Sequence, residues 1–320
     1  MGNDGGNESL SADSIPPPMS TIEHAVWQKF IQDRCGLYFT ENRQRYLRQR
    51  LWERMRVRGI KSYSEYYHHV AFNARGENEW AEILALLLNN ETNFFRHTPS
   101  FDVLARHVLP ELTEEKSRHG VNSIAMWSAG CSAGQETYSL AMAFLEWLSP
   151  TRTIPRSEPI PLPPMDAQMP PRAGWQLKVT GTDIDQPAID KACRAQYKPS
   201  DVRYMPEVYR NRYLNVIAED KGVPSVYQVS DSVRALTQFG HLNLIDQAYW
   251  VAGQDVIFCQ NVLLYFEIAN RIAIVQRLCQ RLNPGGFLFL APAEVVGLKL
   301  PGIQLVRQPD SLIYQRQSPL

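Results

Sequence analysis

Apolar residues recur at helical spacing through residues 21–88, and after residue 120 they fall into short runs separated by helical stretches. The first region predicts a set of helices, of which the first opens at Thr21 and Glu23. Thr40 is the predicted N-cap of the second helix. The pattern therefore predicts a small all-helical domain at the start of the chain.

Beyond residue 120, buried strand patterns alternate with amphipathic helices. Strands are predicted by the runs "SIAMWSAG", "WQLKVTGTDID", "QDVIFCQNVLLYF" and "NPGGFLFL", and helices by "QETYSLAMAFLEWL", "QPAIDKACRAQY" and "IANRIAIVQRLCQRL". Strands that alternate with helices form βαβ units and a mostly parallel sheet. We therefore predict an α/β fold, a doubly wound sheet over residues 121–320, joined to the helical domain by a linker and helix at 89–120.

Three segments interrupt this pattern. Residues 1–20 are polar and rich in Gly, Ser and Asn, which predicts a disordered tail. Residues 149–173 carry eight prolines, which predicts an extended surface loop. Residues 198–230 are rich in aromatic and turn residues, which predicts a small antiparallel β insertion. All three are expected to lie outside the main sheet.

Composition narrows the class of protein. The 320 residues include 33 basic and 33 acidic ones, and a net charge of +0 gives no argument for a nucleic-acid partner. No apolar run reaches the roughly 20 residues that span a membrane, so we expect no direct membrane insertion. The five cysteines are widely spaced without a CxxC pair, which favours reduced thiols over disulfides or a zinc site. We therefore expect a cytoplasmic protein without a bound metal.

The segment "GCSAG", residues 130–134, supports two opposite functions. It fits G-x-S-x-G, the turn that would make Ser132 the nucleophile of a serine hydrolase. It also fits a glycine-rich turn, opened by Gly130, that lets the backbone approach a nucleotide. A hydrolase needs a histidine base later in the chain, and only His241 follows Ser132. The hydrolase therefore remains an alternative with a single candidate base.

The ends of the predicted strands favour the nucleotide. Ligands of doubly wound sheets bind at the carboxyl ends of the strands, where the glycine turn, Asp183 of "TGTDID" and Asn261 of "FCQN" all fall. An acid at the end of the second strand accepts hydrogen bonds from a ribose diol. The glycine spacing is not G-x-G-x-x-G, and no Walker lysine is present. A cofactor with ribose and adenine but no phosphate, S-adenosylmethionine, therefore fits best.

Four motifs occur in a telling order: "NNETNFFRHTPSF", "WSAGCSAGQETYSLAM", "TGTDID" and "FCQNVLLYF". In this order the chain resembles the chemotaxis receptor methyltransferase (CheR) family. The resemblance implies a Rossmann-like methyltransferase domain behind a helical domain, with S-adenosylmethionine as methyl donor and S-adenosylhomocysteine as product. It implies O-methylation of glutamate side chains on a chemoreceptor, the reaction that adapts a chemosensory pathway.

The resemblance also implies site residues. The implied cofactor-binding set, to which we add Gly130 from the turn, is Asn90, Thr92, Arg96, Gly130, Glu136, Asp183, Asn243, Leu244, Gln260 and Asn261. Arg96 and Tyr265 are the implied catalytic residues. Structural alternatives stay open: an interdomain salt bridge for Arg96, an aromatic cap for Tyr265, a first-turn acid for Glu136 and, before Pro187, a helix N-cap for Asp183.

Residues 41–59 hold seven arginines and two glutamates. Arg43, Arg50 and Arg54 are predicted to share one face of a helix, with a solvated surface as the alternative. In the family, the corresponding basic helix contacts the acidic methylation region of the receptor's cytoplasmic helical bundle. Some members also bind a receptor tethering peptide on the small insertion. The resemblance therefore implies recruitment to membrane receptor arrays.

Three positions depart from the family pattern. Gln260 stands where the family usually has arginine, and His97 stands where it usually has an acid. The segment "APAE", residues 291–294, replaces "GHSE". Gln260 motivates a further alternative, a non-catalytic adaptor that has kept the fold. A branch that serves type IV pilus motility is an additional prediction.

Overall fold

A computed structural model of the chain describes residues 15–88, 91–148, 174–292, 294, 300–308 and 311–317. The chain divides into two compact units, Met1–Asn89 and Asn90–Leu320. Most of the tail predicted at 1–20 and all of the proline-rich loop predicted at 149–173 lie outside the described residues. Among the described residues, no helix combines the length and the apolar character needed to cross a membrane.

The described part of the first unit is helical. Its α-helices are α1 (Thr21–Cys35), α2 (Gln44–Arg58), α3 (Tyr63–Phe72) and α4 (Gly76–Leu87). Helix α1 begins with a capping box, in which Ser20 Oγ accepts a hydrogen bond from Glu23 N while the Glu23 carboxylate accepts one from Ser20 N. The all-helical prediction for this region is confirmed.

The predicted N-cap of the second helix is wrong. The chain enters α2 through a 3-10 turn, Glu41–Arg43, and α2 begins only at Gln44. Thr40 therefore precedes the 3-10 turn, and its side chain makes no capping hydrogen bond. The sequence pattern does not distinguish the 3-10 turn from the start of α2, because both give side chains a similar helical spacing.

A buried carboxylate links α2, α3 and α4. Glu79 is fully buried, and its carboxylate accepts two hydrogen bonds of 3.0 Å from Arg54. Arg58 and the Tyr66 hydroxyl donate to the same carboxylate at 2.6 and 2.7 Å. Burial alone would raise the pKa of Glu79, but these donors outweigh burial and hold the pKa at about 2. The guanidinium of Arg54 thus neutralises an acid of its own unit.

The second unit consists of helices packed on a sheet. Its α-helices are α5 (Thr98–Val103), α6 (Leu109–Arg118), α7 (Gln135–Leu148), α8 (Gln186–Arg194), α9 (Pro199–Val202), α10 (Glu207–Tyr213), α11 (Asp231–Arg234) and α12 (Ile268–Arg281). Its strands are β1 (Ser123–Ala129), β2 (Gln176–Asp183), β3 (Gln196–Tyr197), β4 (Leu214–Asp220), β5 (Val223–Val229), β6 (Thr237–His241), β7 (Gln254–Cys259), β8 (Leu282–Leu290), β9 (Ile303–Gln308) and β10 (Ser311–Arg316).

The main sheet has the strand order β6-β2-β1-β7-β8-β10-β9. Strands β6, β2, β1, β7 and β8 run parallel, and β10 is antiparallel to both β8 and β9. The chain runs from the central β1 to β2 and β6 on one side, and then returns to β7 and β8 on the other. This topology confirms the predicted doubly wound, mostly parallel sheet and creates a switch point beside β1.

Both faces of the sheet are covered, which explains why its strands read as continuous apolar runs. Met126 and Phe258 point to one hydrophobic cluster, and their neighbours Trp127 and Ile257 point to the cluster on the opposite face. The main helices therefore pack on two sides. The carboxyl ends of the parallel strands β6, β2, β1, β7 and β8 lie together at one end of the sheet, which we call its carboxyl edge.

The small insertion is confirmed as an antiparallel sheet of order β3-β5-β4, with one difference. Its first half forms the short helices α9 and α10 rather than strands. Strands β9 and β10 also lie outside the set that the hydropathy pattern predicts. Strand β10 pairs with β8, and β9 pairs with β10, so these two strands complete this end of the sheet.

Removing the buried acid of the first unit is expected to destabilise it strongly. Glu79→Ala leaves Arg54 and Arg58 without their shared carboxylate, so we expect a loss of about 3–5 kcal/mol in the free energy of unfolding. The matched control, Glu77→Ala, removes an exposed partner of Arg34 and should cost no more than about 1 kcal/mol. Urea denaturation of the two variants measures the difference.

The same network makes a pH prediction. The folded-state pKa of Glu79 is about 2, below the usual value of 4.5. The contribution of this ionised carboxylate to the free energy of unfolding is therefore complete above pH 4.5. That contribution is lost as the pH falls from 4.5 towards about 2. Equal losses of stability in wild type and Glu79→Ala over this range would contradict the assignment.

Candidate functional site

The predicted site residues of the second unit converge on the carboxyl ends of β1, β2, β6 and β7. Ala129 of β1 lies opposite Thr182 of β2, and Asp183 lies opposite His241 of β6, so the three strands end at one level. Strand β7 ends beside β1 at Cys259. The parallel register therefore brings together segments that are more than a hundred residues apart in the chain.

The turn after β1 needs glycine for local reasons. Gly130 and Gly134 have φ values of +86° and +91°, which disfavour any other residue. A Cβ at Gly130 would lie 2.4 Å from a methyl carbon of Val262, and one at Gly134 would lie 2.8 Å from Ala192 Cβ. Close packing against Val262 and Ala192 thus explains both glycines, without the need for a ligand that approaches the turn.

Asp183 joins the two turns that follow β1 and β2. Its carboxylate accepts hydrogen bonds from Ser132 N at 2.7 Å and from Asp185 N at 3.0 Å. Loss of solvent raises the pKa of Asp183, and the two backbone donors oppose the rise. Asp185, rather than Asp183, is the N-cap residue of α8, so the alternative of Asp183 as a helix cap is wrong. Its carboxylate still has free acceptor positions.

Glu136 lies in the first turn of α7, beside the same edge. Ser128 Oγ donates a hydrogen bond of 2.7 Å to its carboxylate. Poor solvation, together with the nearby Glu294, raises the pKa of Glu136 to about 7, while Ser128 and the charge of Arg96 lower it. The site therefore carries a concentration of acids whose ionised forms are poorly stabilised.

Arg96 is presented to this edge by buried neighbours. Phe94 and Phe95 are buried, and Phe95 N donates a hydrogen bond of 3.0 Å to Ser139 Oγ of α7. Phe95 has a φ of +53°, which turns the chain so that Arg96 is exposed. One Arg96 nitrogen donates to Glu91 O at 2.8 Å. Thr92 is half-buried in the same segment, and the predicted Asn90 lies outside the described residues.

Gln260 and His97, two of the departures from the family pattern, are connected. Gln260 is buried, and its Nε2 donates a hydrogen bond of 2.8 Å to Ser100 Oγ. Ser100 Oγ lies 2.9 Å from His97 Nδ1, so the serine proton is available to that ring nitrogen. Hydrogen bonds thus join Gln260, Ser100 and His97, at two positions where the family usually has an arginine and an acid. The amide of Gln260 is engaged in these hydrogen bonds.

Asn261 and Tyr265 follow β7 on one side of β1, whereas Asn243 and Leu244 follow β6, which lies beyond β2 on the other side. Asn261 has a φ of +62°, and Tyr265 ends a half-buried 3-10 turn, Leu263–Tyr265. The Asn243 side chain accepts a hydrogen bond from Ile245 N at 3.2 Å. The Leu244 side chain packs in the core, and its carbonyl accepts a hydrogen bond from Tyr249. These residues follow β6 and β7, as the motif positions predict.

Ser132 lacks what a hydrolase nucleophile needs. Its Oγ is buried and has no hydrogen-bond partner within the described structure. His241, the only candidate base, is exposed at the end of β6. A nucleophilic serine is activated by a base within hydrogen-bond reach. The geometry therefore argues against the hydrolase, and the unpartnered hydroxyl is instead a polar group available to a ligand.

The predicted basic face of α2 is only partly available. The guanidinium of Arg43 lies 5.6 Å from the Tyr46 ring, and that of Arg50 lies 5.0 Å from the same ring. Arg50 also pairs with Glu53 at 3.0 Å. Arg54 is turned instead to the buried Glu79, so its prediction as a surface contact is corrected. The spacing of arginines along a helix does not reveal which of them has an internal partner.

Sequence reasoning also missed Glu294. This residue is buried, and its carboxylate accepts hydrogen bonds from three backbone N–H groups, those of Val262, Leu263 and Ala291. Burial raises the pKa of Glu294 to about 7. The available signal was the "APAE" segment, in which the final acid is kept while the preceding residues differ from the family pattern.

The donor set fits S-adenosylmethionine. The edge offers the carboxylates of Asp183 and Glu136, the amide of Asn261 and the unpartnered Ser132 hydroxyl. A phosphate-bearing nucleotide would meet like charges here, whereas S-adenosylmethionine brings a ribose diol, an ammonium group and a sulfonium. Acceptors of this kind match a cationic cofactor without phosphate.

Comparison with known proteins agrees with this chemistry. The family model "CheR methyltransferase, SAM binding domain" matches residues 90–154 and 158–307, and "CheR methyltransferase, all-alpha domain" matches residues 23–88. Chemotaxis protein methyltransferase 1 of Pseudomonas aeruginosa is 30% identical over 92% of this chain and 98% of its own length. Chemotaxis protein methyltransferase Cher2 of Pseudomonas putida is 30% identical over 93% of this chain and 99% of its own.

The hydrogen bonds that join Gln260, Ser100 and His97 predict energetic coupling between positions 97 and 260. Gln260→Arg buries a charge beside Ser100 without an acid, and we expect a loss of about 3–5 kcal/mol in the free energy of unfolding. His97→Glu alone should also destabilise. The double variant should recover about 0.5–3 kcal/mol relative to the sum of the single effects.

Chemical denaturation of the four proteins completes this double-mutant cycle. Gln196→Arg, at an exposed position of β3, is the control for adding an arginine to the second unit. Effects that add without coupling would show that the two departures from the family pattern are independent.

Proposed function

The chain belongs to the CheR methyltransferase family, and from that premise we propose that it methylates glutamate side chains of a chemoreceptor with S-adenosylmethionine. The observation that carries the proposal is the position of Arg96. Its charge acts on Glu136 at the edge where the predicted cofactor residues converge. The names of the relatives, chemotaxis protein methyltransferases, support the same reaction.

Each group of residues has a proposed part in holding the cofactor. Asp183 accepts hydrogen bonds from the ribose hydroxyls, and Glu136 faces the ammonium group. Asn243 and Leu244 lie against the adenine. The remaining members of the proposed set are Asn90, Thr92, Gly130, Gln260 and Asn261, of which Gln260 acts through Ser100 rather than by direct contact.

The chemistry of the substrate requires no base. The cofactor supplies a methyl group on a positively charged sulfur, and its transfer to a carboxylate oxygen leaves a neutral thioether. A glutamate with a pKa near about 4.3 is already ionised at neutral pH. Arg96 holds that carboxylate through charge-assisted hydrogen bonds, and Tyr265 orients it. The residues of the site therefore align the nucleophile and exclude water.

The receptor contact is proposed for a basic surface formed by α2 and the 3-10 turn before it. Arg43 and Arg50 are partly exposed and suited to the acidic methylation region of a cytoplasmic helical bundle. Arg54 is left out because its guanidinium serves Glu79. Exposed charges of this kind steer association more than they add affinity.

A receptor tethering peptide has a suitable edge in the small sheet. Strand β4 pairs only with β5 among the described strands, and its Val216 and Ile217 are exposed. An extended peptide can add to such an edge through backbone hydrogen bonds. We propose that this edge recruits the protein, in the cytoplasm, to membrane receptor arrays. A branch that serves type IV pilus motility stays a prediction.

The non-catalytic adaptor is less well supported than the enzyme. The only observation in its favour is Gln260, and that side chain has a structural role, because its hydrogen bond to Ser100 links it to His97. The substitution therefore does not remove a group from the reacting edge.

Methyl transfer to purified chemoreceptor fragments tests the proposal. With methyl-labelled S-adenosylmethionine, we expect base-labile label on receptor glutamates. Asp183→Ala should weaken binding of S-adenosylhomocysteine in calorimetry by about tenfold to a hundredfold, since hydrogen bonds to a charged group contribute about 1.5–3 kcal/mol. Asp190→Ala, at an exposed position of α8, is the control. If the protein binds the cofactor but transfers label only to molecules other than the receptor, the assignment of the receptor as substrate is wrong.

Cofactor binding should release protons. Glu136 has a pKa of about 7 in the free protein, and a bound ammonium group would stabilise its ionised form. Affinity for S-adenosylhomocysteine should therefore rise between about pH 6 and 8. Calorimetry in buffers of different ionisation enthalpy counts the protons, and Glu136→Gln should abolish most of the release. Proton uptake by the wild type would contradict this role.

A further inference from the structure

The loop between β7 and α12 carries two proposed site residues in a shape that it does not hold by itself. Asn261 has a φ of +62°, in the left-handed region, which asparagine tolerates better than most residues but adopts less readily than glycine. The loop then forms the single 3-10 turn Leu263–Tyr265 before α12 begins at Ile268. Among the described strands, none pairs with these residues, so their backbone groups depend on other partners.

Glu294 supplies the partners for one side of the loop. Its Oε1 accepts hydrogen bonds from Val262 N at 2.6 Å and from Leu263 N at 2.8 Å. Its Oε2 accepts one from Ala291 N at 2.8 Å, just beyond the end of β8. A carboxylate can serve three donors in this way because it is purely an acceptor. A buried acid thus ties the start of the 3-10 turn to the neighbouring strand.

Arg271 supplies the partners for the other side. Its Nε donates to Phe266 O at 2.8 Å, and one terminal nitrogen donates to Leu264 O at 3.2 Å. The other terminal nitrogen donates to Glu294 O at 3.3 Å. The planar guanidinium reaches three carbonyl groups at once, which a lysine cannot do. The two side chains therefore meet at residue 294 and enclose the turn from its N–H side and its C=O side.

We propose that Glu294 and Arg271 form a clamp of positioning residues that fixes the loop carrying Asn261 and Tyr265, and so sets the rate of methyl transfer. The consequence for rate rests on the proposed function, whereas the effect of the clamp on the loop does not. The clamp leaves Tyr265 half-buried, with its position set by backbone contacts on both sides. A displacement of about 1 Å at a reacting group can cost about a hundredfold in rate.

The choice of variants separates positioning from charge. Glu294→Gln keeps the size of the side chain, but its NH₂ group would face a backbone N–H on one of the two sides. Arg271→Lys keeps the positive charge and loses the three-carbonyl contact. Glu115→Gln repeats the change in charge at an exposed residue of α6 and is the control.

Hydrogen exchange and kinetics are measured on the full-length chain. In Glu294→Gln and in Arg271→Lys, we expect amide exchange in the segment 261–266 to become at least about tenfold faster. We expect kcat for methyl transfer to fall by about tenfold to a hundredfold, and by more than the affinity for S-adenosylhomocysteine falls. Glu115→Gln should leave all three quantities unchanged.

The outcomes distinguish the two proposals. Unchanged exchange in both variants overturns the clamp, and faster exchange with unchanged kcat overturns its control of rate. If the wild type transfers no methyl group to receptors, the proposed function fails, and the exchange measurement alone then decides whether the clamp holds the loop.

Discussion

The desolvation of carboxylates governs both units of this protein. An acid removed from water must be neutralised by a cation, satisfied by hydrogen-bond donors or protonated. In the first unit, Glu79 is met by Arg54 and Arg58, and its pKa is about 2. In the second unit, Glu136 and Glu294 accept hydrogen bonds only from neutral groups among the described residues, and both pKa values are about 7.

This contrast separates Glu79, which already has cationic partners, from the acids of the second unit, whose described hydrogen-bond donors are neutral. The cations of the first unit already complete their site, so Glu79 has nothing left to bind. At the sheet edge of the second unit, Glu136 and Asp183 remain partly exposed, and the hydrogen bonds described for them come from neutral donors, although the charge of Arg96 also acts on Glu136. A cationic cofactor would lower the cost of ionising them, which is why the electrostatics of the edge suit S-adenosylmethionine better than a phosphate-bearing nucleotide.

The departures from the family pattern have a similar explanation. His97, Ser100 and Gln260 are joined by hydrogen bonds, where the usual residues at positions 97 and 260 would be an acid and an arginine. Replacing two charges by neutral groups in a buried place is often nearly neutral in free energy, provided that both are replaced together. The fold and the reacting edge are therefore compatible with Gln260, although the residue stands beside Asn261.

The sequence by itself determined the fold class and the order of the site motifs. Alternating apolar runs and helical stretches specify a parallel sheet, and the positions of Asp183 and Asn261 at strand ends follow directly from that alternation. These features are local, since each depends on the period of side chains along a few residues.

Only the tertiary structure decided which polar groups meet. It assigned Arg54 to Glu79, paired His97 with Ser100 and Gln260, and gave Glu294 its three backbone donors. It also supplied the entry of α2 through a 3-10 turn and the strands β9 and β10. Hydrogen bonds and ion pairs between distant segments depend on direction and distance in space, and the spacing of residues along the chain records neither.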